Sequence, residues 1–192
     1  MKNLFRIFLV VTTLFIVGGC AAPNMNLSDP AAAEATPGSD KALVYFLRPK
    51  KVGFKIHAAV YDGDEFVGFV PYNTKLAYLA EPGEHMFMVV SEAADFMKAD
   101  LLPGKTYYVQ VVPRMGAWRA RFSLWPVTKA HLATESVRQW IDAARPVQNK
   151  PQAYQWAENN RSSVMAKKAA YFSKWQTKPA DRQPYLAPED GE

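Results

Sequence analysis

From Lys41 to about Val127 the chain alternates short apolar and polar runs, cut by Gly, Pro, Asn and Asp at the spacing of an all-β domain. The runs predict strands over Ala42 to Leu47, Ile56 to Tyr61, Glu65 to Val70, Lys75 to Leu79, His85 to Val90, Phe96 to Leu101, Tyr107 to Val112 and Trp118 to Trp125. Asp62-Gly63-Asp64 supplies the positive φ that a tight hairpin turn requires. Pro82-Gly83 and Pro103-Gly104 match type II turns, where Pro presets the first central residue and Gly tolerates the second. In the last run Trp118, Ala120, Phe122 and Leu124 alternate with Arg119, Arg121 and Ser123, giving one buried and one wet face. The pattern predicts a mostly β fold, with a small antiparallel β-sandwich of seven to eight strands over residues 41–127.

After Pro126 the period becomes helical. Ser136 is the expected cap of a helix running to Ala144 and ended by Pro146. A longer helix is expected from Pro151 or Gln152 to about Gln176, with Val164, Met165, Ala169, Phe172 and Trp175 along one stripe. Residues 128–178 therefore read as C-terminal α-helices, and residues 179–192, with three prolines and an acidic end, as a disordered tail. Ala21 to Asp40 holds Pro23, Pro30 and Pro37 and no aromatic residue, so it reads as a flexible linker whose 20 residues span roughly 25 Å.

The first twenty residues carry an address. Lys2 and Arg6 precede an uncharged run of 13 residues, Ile7 to Gly19, followed by Cys20. A membrane-crossing helix needs roughly 20 apolar residues, so a cleaved signal peptide is the better reading of residues 1–19. The end of the run, Val17-Gly18-Gly19-Cys20, resembles the lipobox of bacterial lipoproteins. That resemblance implies diacylglyceryl transfer to the Cys20 sulfur, cleavage between Gly19 and Cys20, and acylation of the new amino terminus. A multiply acylated cysteine holds to a membrane without help from protein surface. The alternative is an ordinary cleaved signal peptide that leaves Cys20 as a thiol. Ala21, rather than Asp, follows the cysteine, which by the same resemblance implies the outer membrane, facing the periplasm, ahead of the inner membrane or cell surface. Cys20 is the single cysteine, so the mature body holds together by its core alone.

Ala42-Leu43-Val44-Tyr45-Phe46-Leu47-Arg48-Pro49, Val60-Tyr61-Asp62-Gly63 with Val67-Gly68, Glu81-Pro82-Gly83-Glu84-His85 and Pro103-Gly104-Lys105-Thr106-Tyr107-Tyr108-Val109 resemble a family of bacterial lipoproteins classed only as a domain of unknown function. The segment is similar, more loosely, to PEGA-type surface modules. The resemblance spans residues 41–127 and implies a small extracytoplasmic β-sandwich behind a lipobox; it brings no activity with it.

The chemistry-bearing residues are sparse. His57, His85 and His131 lie on separate segments without metal-ligand spacing, and Asp62-Gly63-Asp64-Glu65 lacks the distal glutamate of a calcium loop. Ser91, Ser123, Ser136, Ser162 and Ser163 sit in no Gly-x-Ser-x-Gly elbow, and no Gly-rich loop opens a helix. No catalytic residue, metal or cofactor is assigned. Net charge is +5, and cleavage before Cys20 removes Lys2 and Arg6 from it.

From residue 151 to 182 six cations face two acids. Lys167, Lys168, Lys174 and Lys178, interleaved with Tyr171, Phe172 and Trp175, are candidates to touch lipid headgroups, acidic glycan or a partner; the plainer reading is a solvated helix packed on the sandwich. Trp118, Trp125, Tyr72 and Tyr78 offer aromatic faces for sugars or for the core. Arg114 and Trp118, in the turn Pro113 to Trp118, are the leading contact residues. The expected partners are the membrane through acylated Cys20 and an envelope protein or glycan; export excludes nucleic acid. The expected function is a non-enzymatic envelope lipoprotein, with a secretion or envelope-assembly accessory and a hydrolase with a loop-assembled triad as alternatives.

Overall fold

In the computed structural model, which describes residues 24–28, 35–114 and 121–192, all six residues of β2 (Ala42–Leu47) are buried. A strand buried on both faces needs cover on both sides. Ala42, Val44 and Phe46 enter the main core, while Leu43, Tyr45 and Leu47 meet Leu132 and Ile141 from two helices, α1 (Lys129–Leu132) and α2 (Glu135–Ala143).

The other strands are β1 (Met25–Leu27), β3 (Ala59–Asp62), β4 (Glu65–Phe69), β5 (Thr74–Ala80), β6 (Gly83–Val90), β7 (Ala94–Leu101), β8 (Thr106–Arg114), β9 (Arg121–Pro126), β10 (Arg145–Asn149) and β11 (Tyr185–Leu186). One sheet has the order β1-β10-β5-β2-β8-β9 and the other β11-β7-β6-β3-β4. The ring of Phe46 in the first sheet meets Phe87 in the second at 5.2 Å between centroids, edge to face.

On β7, Asp95 reaches Arg114 and Ser123 of the first sheet, while its neighbour Phe96 meets Phe172 and Trp175 of α4 (Arg161–Gln176). Adjacent strand residues point to opposite faces, so α4 covers the face of the second sheet turned away from the first. α3 (Pro151–Asn159) joins it there, with Trp156 packed 4.8 Å from Phe69 of β4. The basic helical segment is thus docked on the body.

Several expectations are corrected. The sheets are mixed, not antiparallel, and the described residues hold eleven strands instead of seven to eight. The pairs β2 with β8, β5 with β10 and β7 with β11 run parallel. Parallel neighbours arise because the chain leaves the first sheet after β2 for β3 and β4 and returns as β5 on one side of β2. It leaves again for β6 and β7 and comes back as β8 on the other side; β10 and β11 come back from the helical part. The boundary drawn at residue 127 therefore does not separate a β unit from a helical one. The strand expected from Ile56 begins at Ala59, since the Ile56 carbonyl is taken by a side chain.

The first long helix starts earlier than expected, after Thr134 and not Ser136. The second is two helices, broken at Asn160, whose side-chain amide donates to the Trp156 carbonyl at 2.8 Å and so competes with helix continuation.

Both expected flexible ends are built into the fold. β1 lies within the supposed linker and pairs antiparallel with β10, Leu27 opposite Val147, and the Ser28 amide donates to the Pro146 carbonyl at 3.0 Å. The C-terminal residues close the second sheet. Tyr185 and Leu186 pair with Lys98 and Ala99, and Glu192 exchanges two backbone hydrogen bonds with Thr106. Gly191 packs so tightly that an added β-carbon would lie 2.6 Å from the Tyr107 ring. These residues bury because β7 would otherwise present an open edge, an invitation to pair with another chain.

Leu186 is fully buried, so Leu186→Ala should lower stability by about 2–5 kcal/mol. Urea unfolding reads this directly, and an unchanged midpoint would restore the view of residues 179–192 as a loose tail.

Candidate functional site

Pairing directions sort the loops into two ends. β1, β2 and β8 run the same way, opposed by β5, β9 and β10. At the ends of β2 and β8 lie the loop 49–57 and the turns 71–73 and 91–93; residues 115–120 fall outside the described residues. The opposite end carries the turns near Gly63, Pro82 and Gly104 and the chain terminus.

Charge separates with the geometry. Lys50, Lys51, Lys55, Arg114 and Arg121 sit at the first end, against Glu92 and Asp95. At the other end Lys41, Lys168 and Arg138 are spent on Glu81, Asp64 and Glu192.

The loop 49–57 is shaped from beneath by Arg48, which is 1% exposed. Its Nη1 donates to the carbonyls of Ile56 at 2.9 Å and Val70 at 3.3 Å, and its Nη2 to those of Val52 at 3.3 Å and Gly53 at 2.5 Å. The guanidinium also lies 4.4 Å from the centre of the Phe122 ring. Burial pushes its pKa down to about 10, so it stays charged at neutral pH.

Burying a charge costs less the more of its donors are satisfied. The loop supplies three of the four acceptors met by the Nη atoms and Val70 the fourth, while Nε has no hydrogen-bond partner among the described residues. Gly53, at φ +66°, makes the turn that brings two successive carbonyls inward. The side chains are left outside: Lys50, Lys51, Val52, Phe54 and Lys55, with Val52 52% and Phe54 53% exposed. The Lys55 ammonium stands 5.7 Å from the Phe54 ring centre.

Beside the loop, Asp95 collects three donors: Arg114 at 3.0 Å, Ser123 Oγ at 2.5 Å and Lys178 at 3.2 Å. Arg114 is therefore held at the rim of this end, next to segment 115–120; Trp118 and the start of its expected strand lie outside the described residues, as do Gly19 and Cys20. Lys167 reaches the same end, donating to the Ser91 carbonyl at 2.6 Å. Lys168 turns the other way to Asp64 at 2.5 Å, and Lys174 lies 5.7 Å from the centre of the Tyr171 ring. The structure thus brings Arg114 and Lys167 to one end and takes Lys168 away from it. The loop 49–57 is the feature that sequence reading missed; the signal available was Lys-Lys-Val-Gly-Phe-Lys directly after a buried strand.

The three histidines each have a local explanation. His131 Nδ1 accepts the Thr128 amide at 3.2 Å, and Thr128 Oγ1 accepts the His131 amide, a reciprocal cap of α1. His57 lies 5.2 Å from the Phe69 ring and is held below the usual histidine range by desolvation and by the Arg48 charge. It shares a cleft of about 320 Å³ with Ser91, Glu92, Ser163 and Lys167.

His85, near the start of β6, is largely enclosed. Its Nδ1 lies 2.7 Å from an Asp62 carboxylate oxygen that also accepts the Tyr78 hydroxyl, and its Nε2 lies 2.7 Å from the Glu81 carbonyl. With an acceptor at each nitrogen, the ring suits the doubly protonated form, and its pKa is raised. Among the described residues no group of three or more His, Cys, Asp or Glu side chains could hold a metal ion.

Between β4, β5 and β10 a groove of about 420 Å³ runs past Tyr45, Tyr78 and Tyr154. Comparison with protein-family models and with curated proteins finds no match for this chain, so its chemistry is read from its own side chains.

Because the His85 pKa is higher folded than unfolded, its contribution to stability is complete below the ordinary value of 6.5 and is lost as pH rises through the raised, folded value. Urea midpoints should accordingly fall as pH climbs through that window, and His85→Gln should remove the slope. Parallel profiles for the two proteins would show that His85 does not carry it.

Proposed function

We propose that the chain is a non-enzymatic envelope lipoprotein, a β-sandwich held at a membrane by acylated Cys20 and contacting an anionic partner through its basic end. The observation that carries this reading is the position of β1: Met25, five residues past Cys20, is already part of the first sheet. Five residues reach at most roughly 17 Å. The body is then held close to the lipid surface on a short leash, where a flexible linker would let it hang clear. A lipobox followed almost at once by a folded edge strand makes chemical sense as an anchor.

The outer membrane, facing the periplasm, is the proposed location, on the strength of Ala21 after the cysteine. The lipoprotein family of unknown function remains the proposed kinship, through its turn motifs. Support for a binding role over catalysis comes from the use of side chains. His85 and His131 spend ring nitrogens on Asp62, Glu81 and Thr128, while the basic end leaves lysines and apolar side chains in water.

Metabolic labelling with an alkyne fatty acid, followed by membrane fractionation, tests the anchor. Wild type should carry label and sediment with membranes, and Cys20→Ala should lose both. An unlabelled wild type, with Cys20→Ala still in the membrane fraction, would overturn the lipoprotein reading.

A further inference from the structure

We propose that the loop 49–57 is a lipid-docking element: Val52 and Phe54 enter the headgroup region of an anionic bilayer surface while Lys50, Lys51 and Lys55 engage its phosphates. The inference deepens the functional reading above and rests on it for which bilayer is met, namely the one holding the acyl chains of Cys20.

Three observations converge. Val52 and Phe54 are more than half exposed although the core lies directly below, so the fold turns them outward. The three lysines flank them, and none has an acidic partner among the described residues. The backbone beneath is fastened to the buried Arg48 through the carbonyls of Val52, Gly53 and Ile56, so Phe54 is presented on a fixed platform and its ordering cost is met during folding.

An acidic polymer would satisfy the lysines and leave Phe54 and Val52 in water. A second copy of this end would bring like charges together. A lipid interface with anionic headgroups accepts both kinds of side chain at once, the apolar tip at the acyl boundary and the ammonium groups at the phosphates. The short leash from Cys20 to Met25 keeps the loop near such a surface, which raises its effective concentration there. Leu27 is level with Val147, Leu76 and Phe46, and Met25, where the leash joins β1, lies two residues further from the end of β2 at which the loop springs, so the leash doubles back along β1 to set Cys20 and the loop on one surface.

The test uses the chain without residues 1–19, which take part in none of the described contacts, with Cys20→Ser to remove the acyl site and Val52→Cys to carry an environment-sensitive fluorophore. Flotation with vesicles of phosphatidylcholine plus phosphatidylglycerol is expected, with blue-shifted emission that a headgroup-level nitroxide lipid quenches. Neither should occur with phosphatidylcholine alone.

Each lysine near an anionic surface contributes about a fivefold factor, so replacing Lys50, Lys51 and Lys55 by Glu should weaken partitioning by on the order of 100-fold or more. Phe54→Ser should abolish the quenching while leaving circular dichroism unchanged. Equal emission with both vesicle types overturns the proposal. A shift produced by soluble dextran sulfate and not by vesicles also overturns it, making an acidic polymer the occupant. Since this protein carries no acyl group, the outcome is independent of whether Cys20 is lipidated, which the mass of the full-length protein recovered from membranes reports separately.

Discussion

A guanidinium sealed beneath a loop, with no carboxylate partner among the described residues, must find its acceptors in the backbone. Arg48 sits at the end of a strand buried on both faces, and its Nη atoms are met by four carbonyls and its face by Phe122. That requirement bends residues 49–57 into one shape, delays the next strand until Ala59, and turns the lysines and Phe54 outward. The loop geometry is the consequence of desolvating one cation. Removing that cation would take a donor from each of four carbonyls, of which Gly53 alone keeps a second, the Ile56 amide; each group left unsatisfied costs about 1–3 kcal/mol.

The remainder of the fold is closed by its own ends. A chain whose single cysteine lies ahead of the folded body gets no disulfide, and its two sheets each need their edges covered. β1 covers β10, and β11 covers β7, using segments at opposite ends of the chain. The helices cover both outer faces, α1 and α2 over β2, α3 and α4 over β4 and β7. The body that results is polarised: at one end Lys50, Lys51 and Lys55, which have no acidic partner among the described residues, stand beside an apolar tip, and at the other lie the C-terminal residues and the pairs of Lys41, Lys168 and Arg138.

The strands between Ala42 and Leu101 were legible because period-2 alternation and turn residues act locally: Ala42–Leu47 falls where expected, and Glu65–Phe69 and Gly83–Val90 shift by one or two residues. What the pattern could not carry was pairing direction. Nothing in Ala42–Leu47 or Thr106–Arg114 announces that they lie side by side and parallel. Met25–Leu27, Arg145–Asn149 and Tyr185–Leu186 are too short and too proline-flanked to stand out, and they become strands only because an existing edge offers them hydrogen bonds. Asn160 broke a helix through a side-chain bond to Trp156 that periodicity does not register. For the candidate site, Arg114 and the lysines were visible as charges, whereas Phe54 gained meaning only once Arg48 was seen to be buried below it.

β1 and the loop over Arg48 belong to one folded body, and amide hydrogen exchange tests this most directly. The Ser28 amide, bonded to Pro146, and the Ile56 amide, bonded to Gly53, should exchange far more slowly than unstructured amides. Exchange of both at unstructured rates would contradict it, because residues 25–28 would then be a free linker and the basic loop a loose one.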